Sequence, residues 1–220
     1  MTIALPRLQR IPADERGITI GDFLVPIRIW ERIGVRARHI ALIVAGALLI
    51  SLSANFFIPL SPIPITGQTF AVLLVGGALG FRRGIASTLL YLVIGFFLPV
   101  YAQHQSGTET ILSVSDGSLV LGVSGGYLVG FVLAAALVGR LAELGWDRRL
   151  AGSSAAMLLG NVVIYLVGLP WLQAATGMSW AMTIQEGLTP FVIGDGLKLL
   201  LAAVAFPAAW WLVGRRPGDR

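Results

Sequence analysis

The sequence predicts an all-α membrane protein, a six-transmembrane-helix bundle with both termini cytoplasmic. Three observations carry that prediction. The 220 residues are 56% hydrophobic and only 12% charged, about half the charge of an ordinary soluble domain, and the mean hydropathy is +0.82. The apolar residues are gathered into runs of membrane-spanning length. The basic residues, all arginine except Lys198, fall in four short clusters beside those runs.

Residues 1–38 read as a cytoplasmic tail. Arg7, Arg10 and Arg16 are interspersed with acids and no apolar run follows before Ile40, which does not fit a cleaved signal peptide. Residues 18–38 mix Phe23, Leu24, Val25 and Trp30 with Arg28, Arg32, Arg36 and Arg38. That mixture suits either a short helix on the inner membrane surface or a flexible tail. Apolar runs of about 17–25 residues mark spans: helix 1 over 40–58, helix 3 over 84–100, helix 4 over 119–139, helix 5 over 151–170 and helix 6 over 191–213. Gln68 to Gly80 is short for a span. It is long enough for helix 2 only if the uncharged 61–69 stretch also sits at membrane depth, as a re-entrant or cavity-lining loop surrounded by protein or water. The transmembrane domain then covers 39–214, and 215–220 form a second cytoplasmic tail.

The arginines orient the bundle. They occupy the N-terminal tail, the 81–84 turn (Arg82, Arg83), the 140–149 loop (Arg140, Arg148, Arg149) and the C-terminal tail (Arg215, Arg216, Arg220). The alternate loops, around 55–67, 101–118 and 171–190, contain no lysine or arginine. The positive-inside rule puts the arginine-bearing side in the cytoplasm. The outer loops carry Gln103, His104, Gln105, Glu109, Asp116, Trp171, Gln173, Trp180 and Glu186, a composition that suits a lid or an aromatic interfacial belt.

Within the apolar runs a few polar residues stand out. Asp195 and Lys198 lie one and two turns inside the outer end of helix 6, where an ionisable group costs roughly 2.5–3.5 kcal/mol on insertion scales. Their i, i+3 spacing puts them on one face, as a packing ion pair or as contacts to a common ligand, and Gly194 and Gly196 leave room beside them. Asn161 offers donor and acceptor one turn from Tyr165, for a ligand or for an interhelical hydrogen bond. Thr66, Gln68 and Thr69 add hydroxyl and amide groups at the outer end of helix 2. Ala41-x-x-x-Ala45 is a small-residue ridge that permits close approach of another helix.

Other chemistries are missing from the sequence. No glycine-rich phosphate loop carries a lysine, the two histidines (His39, His104) have no paired metal-ligand spacing, and cysteine does not occur. Neither catalytic residues nor a metal or cofactor site are read from it. Arginines placed beside spans also argue against nucleic acid as a partner. The residues alone leave open a substrate-binding subunit, a secondary transporter using Asp195 as a proton carrier, and a structural membrane subunit.

Three segments together resemble the BioY family, the biotin-specific S component of energy-coupling-factor (ECF) transporters. They are Pro62-Ile-Pro-Ile-Thr-Gly-Gln-Thr69, Gly125-Gly-Tyr-Leu-Val-Gly-Phe131 and Asp195-Gly-Leu-Lys198, and the likeness covers about 38–214. The resemblance implies an ECF S-component-like bundle in a prokaryotic plasma membrane, with an outward-facing biotin cavity capped by loops. It is not an enzyme. Partners would be a transmembrane coupling protein and two ATPase subunits, besides membrane lipid. Ala41 and Ala45 match the docking motif, and Asp195 and Lys198 the biotin site. Biotin's chemistry extends these expectations. Lys198 would neutralise its carboxylate, Asp195 and Asn161 would meet its ureido N–H groups, and Tyr91, Tyr127, Tyr165 and Trp171 would pack on its rings. An S component for thiamin or riboflavin is the nearest alternative.

Overall fold

The computed structural model describes residues 18–23, 34–115 and 117–213. Most of the expected interfacial helix, the 215–220 tail and Asp116 lie outside the described residues. In chain order the structure has α1 (Val35–Ser53), β1 (Phe57–Ile58), β2 (Ile65–Thr66), α2 (Gln68–Phe97), β3 (Leu112–Ser115), β4 (Ser118–Leu121), α3 (Gly125–Glu143), α4 (Leu150–Thr176), α5 (Trp180–Gly187) and α6 (Phe191–Leu212), with short 3-10 turns between. Among the described residues, five segments are long and apolar enough to cross a membrane: Arg36–Ser53, Gln68–His104, Gly125–Glu143, Leu150–Thr176 and Phe191–Leu212.

The second of these segments is not one straight helix. Gly80, at φ 82°, breaks α2 in the left-handed region that favours glycine. Past the break the chain doubles back: a Cβ built on Gly84 would lie 3.0 Å from the Gly76 Cα, whereas eight residues of continuous helix span about 12 Å. The half before Gly80 is roughly 18 Å long, and the buried Ile63, Pro64 and Thr66 continue from its outer end. There β1 pairs with β2, Phe57 opposite Thr66, which satisfies backbone groups that a buried loop would otherwise leave open. The expected turn at 81–84 therefore falls at Gly80 itself, and Arg82 and Arg83 sit within the second half of α2.

Both halves of α2 pack against α3 through glycine. A Cβ on Gly76 would lie 2.8 Å from the Ala135 carbonyl oxygen, and one on Gly139 2.6 Å from the Gly80 carbonyl carbon. The core is centred on this contact, with Val72, Tyr91, Ala134, Ala135 and Ile164 fully enclosed. From α6, Phe206 packs against Gly77. The outer faces of α1 and α6 expose Ile40, Leu48, Leu52, Leu197, Leu200 and Val204, surface of the kind that lipid covers and water does not.

The helix ends differ from the sequence expectation in one consistent way: apolarity marks membrane depth, not helix ends. Helix 1 starts at Val35 rather than 40, because the turn bearing Arg36 and Arg38 is already helical, and it ends at Ser53, because Phe57–Ile58 is a strand. Helix 4 starts at Gly125 rather than 119; the apolar residues before it form β4 of a hairpin with β3. Helix 5 runs past Pro170 to Thr176 and is capped by Gly177 at φ 69°. The 171–190 loop contains α5.

At the end bearing the arginines, the described N-terminal residues form a clasp. Arg83 donates to both carboxylate oxygens of Asp22 (2.8 and 3.0 Å), and Arg38 to Oδ1 (3.1 Å). Burial alone would raise the Asp22 carboxyl, but hydrogen bonds from Arg83 and the Thr19 N–H, with the charges of Arg83 and Arg38, hold it below the ordinary carboxylate range. Nearby, the Trp210 Nε1–H of α6 donates to Asp147 Oδ2 at 2.7 Å. Burial pushes the Asp147 carboxyl up to about 7, against the pull of Trp210 and Arg148.

Candidate substrate-binding site

A cavity opens at the opposite end of the bundle, where the loops without arginine gather. Its space, including the part open to solvent, is about 560 Å³. Ile63, Pro64, Thr66, Gln68 and Thr69 form one side, and Tyr101, Ala102, Gln105 and Thr110 of the outer loop a second. Ser124, Tyr127, Leu128 and Phe131 contribute from α3, Tyr165 from α4, and Phe191 and Lys198 from α6.

Two kinds of surface meet in it. Tyr127, Tyr165 and Phe191 form an aromatic wall: Tyr127 stacks on Phe191 at 6.5 Å between ring centres, and Tyr165 meets both rings edge-on at 6.3 and 6.4 Å. The Tyr127 hydroxyl donates to the Gly187 carbonyl (2.8 Å) and so ties the wall to α5. Deeper lies a polar cluster. Lys198 Nζ donates to the Thr66 carbonyl (2.7 Å), Thr69 Oγ1 (2.9 Å) and Asp195 Oδ1 (3.2 Å), which uses all three ammonium donors. Thr69 in turn donates to Asp195 Oδ1 at 3.4 Å, and the Tyr165 hydroxyl to Asp195 Oδ2. The buried charge of each partner is thereby compensated by the other and by neutral hydrogen bonds.

Of the residues expected from sequence, Thr66, Gln68, Tyr127, Tyr165 and Lys198 line the cavity. Asp195, 6% exposed, stands behind Lys198 and Tyr165. Tyr91 is fully buried beneath the cavity floor, accepting from the Gln68 amide, while Gln68 Oε1 accepts from Thr66 Oγ1 at 3.0 Å. Trp171 packs on Gly125 and Gly126 and donates to the Gly122 carbonyl (2.9 Å), so it holds the hairpin loop to α4 rather than facing the cavity. Asn161 is buried one turn along α4 from Tyr165, its Oδ1 without a hydrogen-bond partner. A ligand carboxylate reaching Lys198 would have to displace one of its three present acceptors. Ala41 and Ala45 lie exposed on α1.

Phe131, Phe191, Leu128, Tyr101, Gln105, Thr110 and Ser124 are among the further lining residues. Phe191 precedes Asp195 by one turn and Phe131 follows Tyr127 by one, so helical spacing from the polar residues pointed to both. Tyr101 and Thr110 reach the cavity through irregular loop backbone that no periodicity encodes. Among the described residues no cluster of three or more His, Asp or Glu could hold a metal ion.

An apolar helical bundle with a mixed aromatic and polar cavity at its loop-bearing end defines a membrane protein that binds a small molecule. The chain matches the BioY family over residues 28–215, and it belongs to that family. It is 34% identical over 165 residues to the biotin transporter BioY of Thermotoga maritima, covering 74% of this chain and 86% of that one. Identity with the biotin transporter BioY of Rhizobium etli is 33% over 165 residues (74% and 84% covered). With the probable biotin transporter BioY of Pyrococcus horikoshii it is 31% over 171 residues (77% and 94%). The fold matches the crystal structure of the S-component for biotin from an ECF-type ABC transporter, with a TM-score of 0.69 at 24% identity over 79% of this chain and 90% of that one.

Proposed function

We propose that this chain captures biotin from the outer side of a prokaryotic plasma membrane and carries it across as the S component of an ATP-driven ECF transporter. The observation that carries the reading is the cavity of a BioY-family chain in which an aromatic wall meets the Lys198–Asp195–Tyr165 cluster. That pairing suits a ligand with one flat apolar ring system and a polar ureido edge. Thr66, Gln68 and Tyr127 complete the contact set, while Asn161, Tyr91 and Trp171 support it from outside the cavity wall.

Six crossings, rather than five, are supported by the reversal at Gly80, which gives each half of α2 its own passage. An even number then leaves both termini on the arginine-rich, cytoplasmic side. The binding test is a biotin titration of purified protein beside Lys198→Ala. Tight binding that the variant loses is the expected result, because the change leaves Asp195 buried without its counter-ion and frees Thr66; equal affinity in both removes the cluster from the site.

The docking partners are a transmembrane coupling protein and two ATPase subunits, with α1 as the contact. Ala41 and Ala45 sit one turn apart on its exposed face, where small side chains permit close helix approach. Ala41→Trp or Ala45→Trp should abolish biotin uptake by cells while the purified variant still binds biotin. Normal uptake would place the docking surface elsewhere.

A further inference from the structure

The hairpin of β3 and β4 leaves one face uncovered. Directly opposed residues of an antiparallel pair point to the same side, and the sides alternate along each strand. Leu112 with Leu121 and Val114 with Leu119 therefore share one face, while Ser113, Val120 and Ser118 belong to the other. The first face holds four aliphatic side chains. Val114 is 72% exposed, Leu119 68% and Leu112 39%, and Leu121 is half-buried. Neither strand contains a charged residue. A sheet of only two strands is marginal in water, so this apolar face needs a surface to lie on.

The cavity is not that surface. Its lining passes from Thr110 to Ser124 and takes no residue of either strand. Depth along α4 identifies another. Arg148 and Arg149 stand immediately before that helix, and basic clusters mark the membrane boundary on their own side. Gly122 closes the hairpin by donating to the Ile111 carbonyl (2.9 Å) and accepts from Trp171 Nε1–H (2.9 Å); β4 itself lies against α4. From Leu150 to Trp171 the helix rises about 32 Å, and the hydrocarbon core of a bilayer is about 30 Å thick. The root of the hairpin thus sits at the boundary opposite the arginines, the level at which tryptophan is enriched. Below that level on α4, Val162 and Leu166 are exposed, so the lipid-covered surface of the bundle runs up to the hairpin.

We infer that the β3–β4 hairpin is an interfacial anchor, whose Leu112, Val114, Leu119 and Leu121 face lies in the headgroup boundary of the bilayer at the cavity end. Its partner is the lipid surface itself, and because the face is uncharged no anionic headgroup is required. Thr110 and Ser124 flank the hairpin and line the cavity, so the anchor holds that part of the cavity rim at the membrane surface.

The chain contains no cysteine, so one introduced thiol carries a nitroxide label at one place only. The test reconstitutes full-length Val114→Cys, Leu119→Cys and Ser118→Cys proteins in phosphatidylcholine vesicles. Collisions of each label with oxygen, which concentrates in lipid, are compared with collisions with a water-soluble nickel chelate. Oxygen should dominate at 114 and 119, at a depth of about 5–10 Å into the headgroup boundary. The nickel chelate should dominate at 118, where the same label on the opposite face controls for the label's own affinity for lipid. Replacing part of the phosphatidylcholine with an anionic lipid should leave the pattern unchanged. Dominance of the nickel chelate at 114 and 119 would overturn the inference by leaving the face in water. Exclusion of both probes there would overturn it by putting protein over the face, a second copy of the chain or a closed cavity rim. Dominance of oxygen at all three sites would overturn it too, since the hairpin would then have no lipid-facing side distinct from a water-facing one.

Discussion

The two ends of the bundle each hold a carboxylate among convergent donors, and they use it to opposite effect. At the arginine-bearing end Asp22 is gripped by both fork nitrogens of Arg83 and by Arg38, a bidentate geometry that fixes orientation as well as charge. Thr19 beside it is fully buried, and the carboxylate itself is partly exposed. At the cavity end Asp195 is held by one ammonium and two hydroxyls, and the hydroxyl of Tyr165 stands between it and open space. Arginine's rigid fork closes a joint, whereas lysine and tyrosine leave an oxygen facing a ligand. An ion pair in this chain is thus structural or functional according to what lies beside it, not according to its own chemistry.

Removing the carboxylates tests that distinction most directly. Asp195→Ala takes the counter-ion from the partly buried Lys198 and the acceptor from Tyr165, and biotin binding should vanish with the melting temperature lowered. Asp22→Ala should cost less, roughly 1.5–3 kcal/mol for lost hydrogen bonds to charged groups, and leave biotin affinity unchanged in isothermal titration. If Asp22→Ala weakened binding as much as Asp195→Ala, the two ends would be coupled and the contrast would fail.

The smallest expected effect is one of pH. The Asp22 carboxyl is held below its unfolded value, so its contribution is complete at neutral pH and is lost only as pH falls through and below about 3.8. Asp147 works with the opposite sign. Its carboxyl is raised to about 7 by burial, so the folded state holds the proton longer than the unfolded chain does. Its contribution is largest below about pH 4 and declines as pH rises to about 7, with no further change above that. Thermal melts of Asp147→Asn should lack this decline and match or exceed the wild type at pH 7.5; a wild-type slope retained in the variant would assign it to another group.

What the sequence made legible followed from energetic cost. Asp195, Lys198, Asn161 and Gln68 were visible because polar groups in apolar runs are expensive, and the arginine-free loops located the cavity's end of the bundle. Phe131 and Phe191 carried no such energetic signal, because a phenylalanine in a membrane helix costs nothing to place; their one-turn spacing from Tyr127 and Asp195 was the sole sign of them. Residues 118–121 looked like the start of a helix because a short apolar run is the same for strand and helix. Arg38 and Arg83 meet at one end of the bundle. Their shared partner, Asp22, was hidden, since 61 residues separate Arg83 from it.

The glycine contacts between α2 and α3 also decide where the molecule can yield. At Gly76 and Ala135, and again at Gly80 and Gly139, main chain lies directly on main chain, with no side-chain rotamers between to absorb a displacement. That seam is stiff, and the reversed α2 and α3 move as one block. α6 meets this block through side chains, Phe206 against Gly77 among them, and open space lies beside Gly194 and Gly196. The helix that carries Lys198, Asp195 and Phe191 is therefore joined to the bundle by side chains, whereas the opposite wall of the cavity rests on main chain packed against main chain.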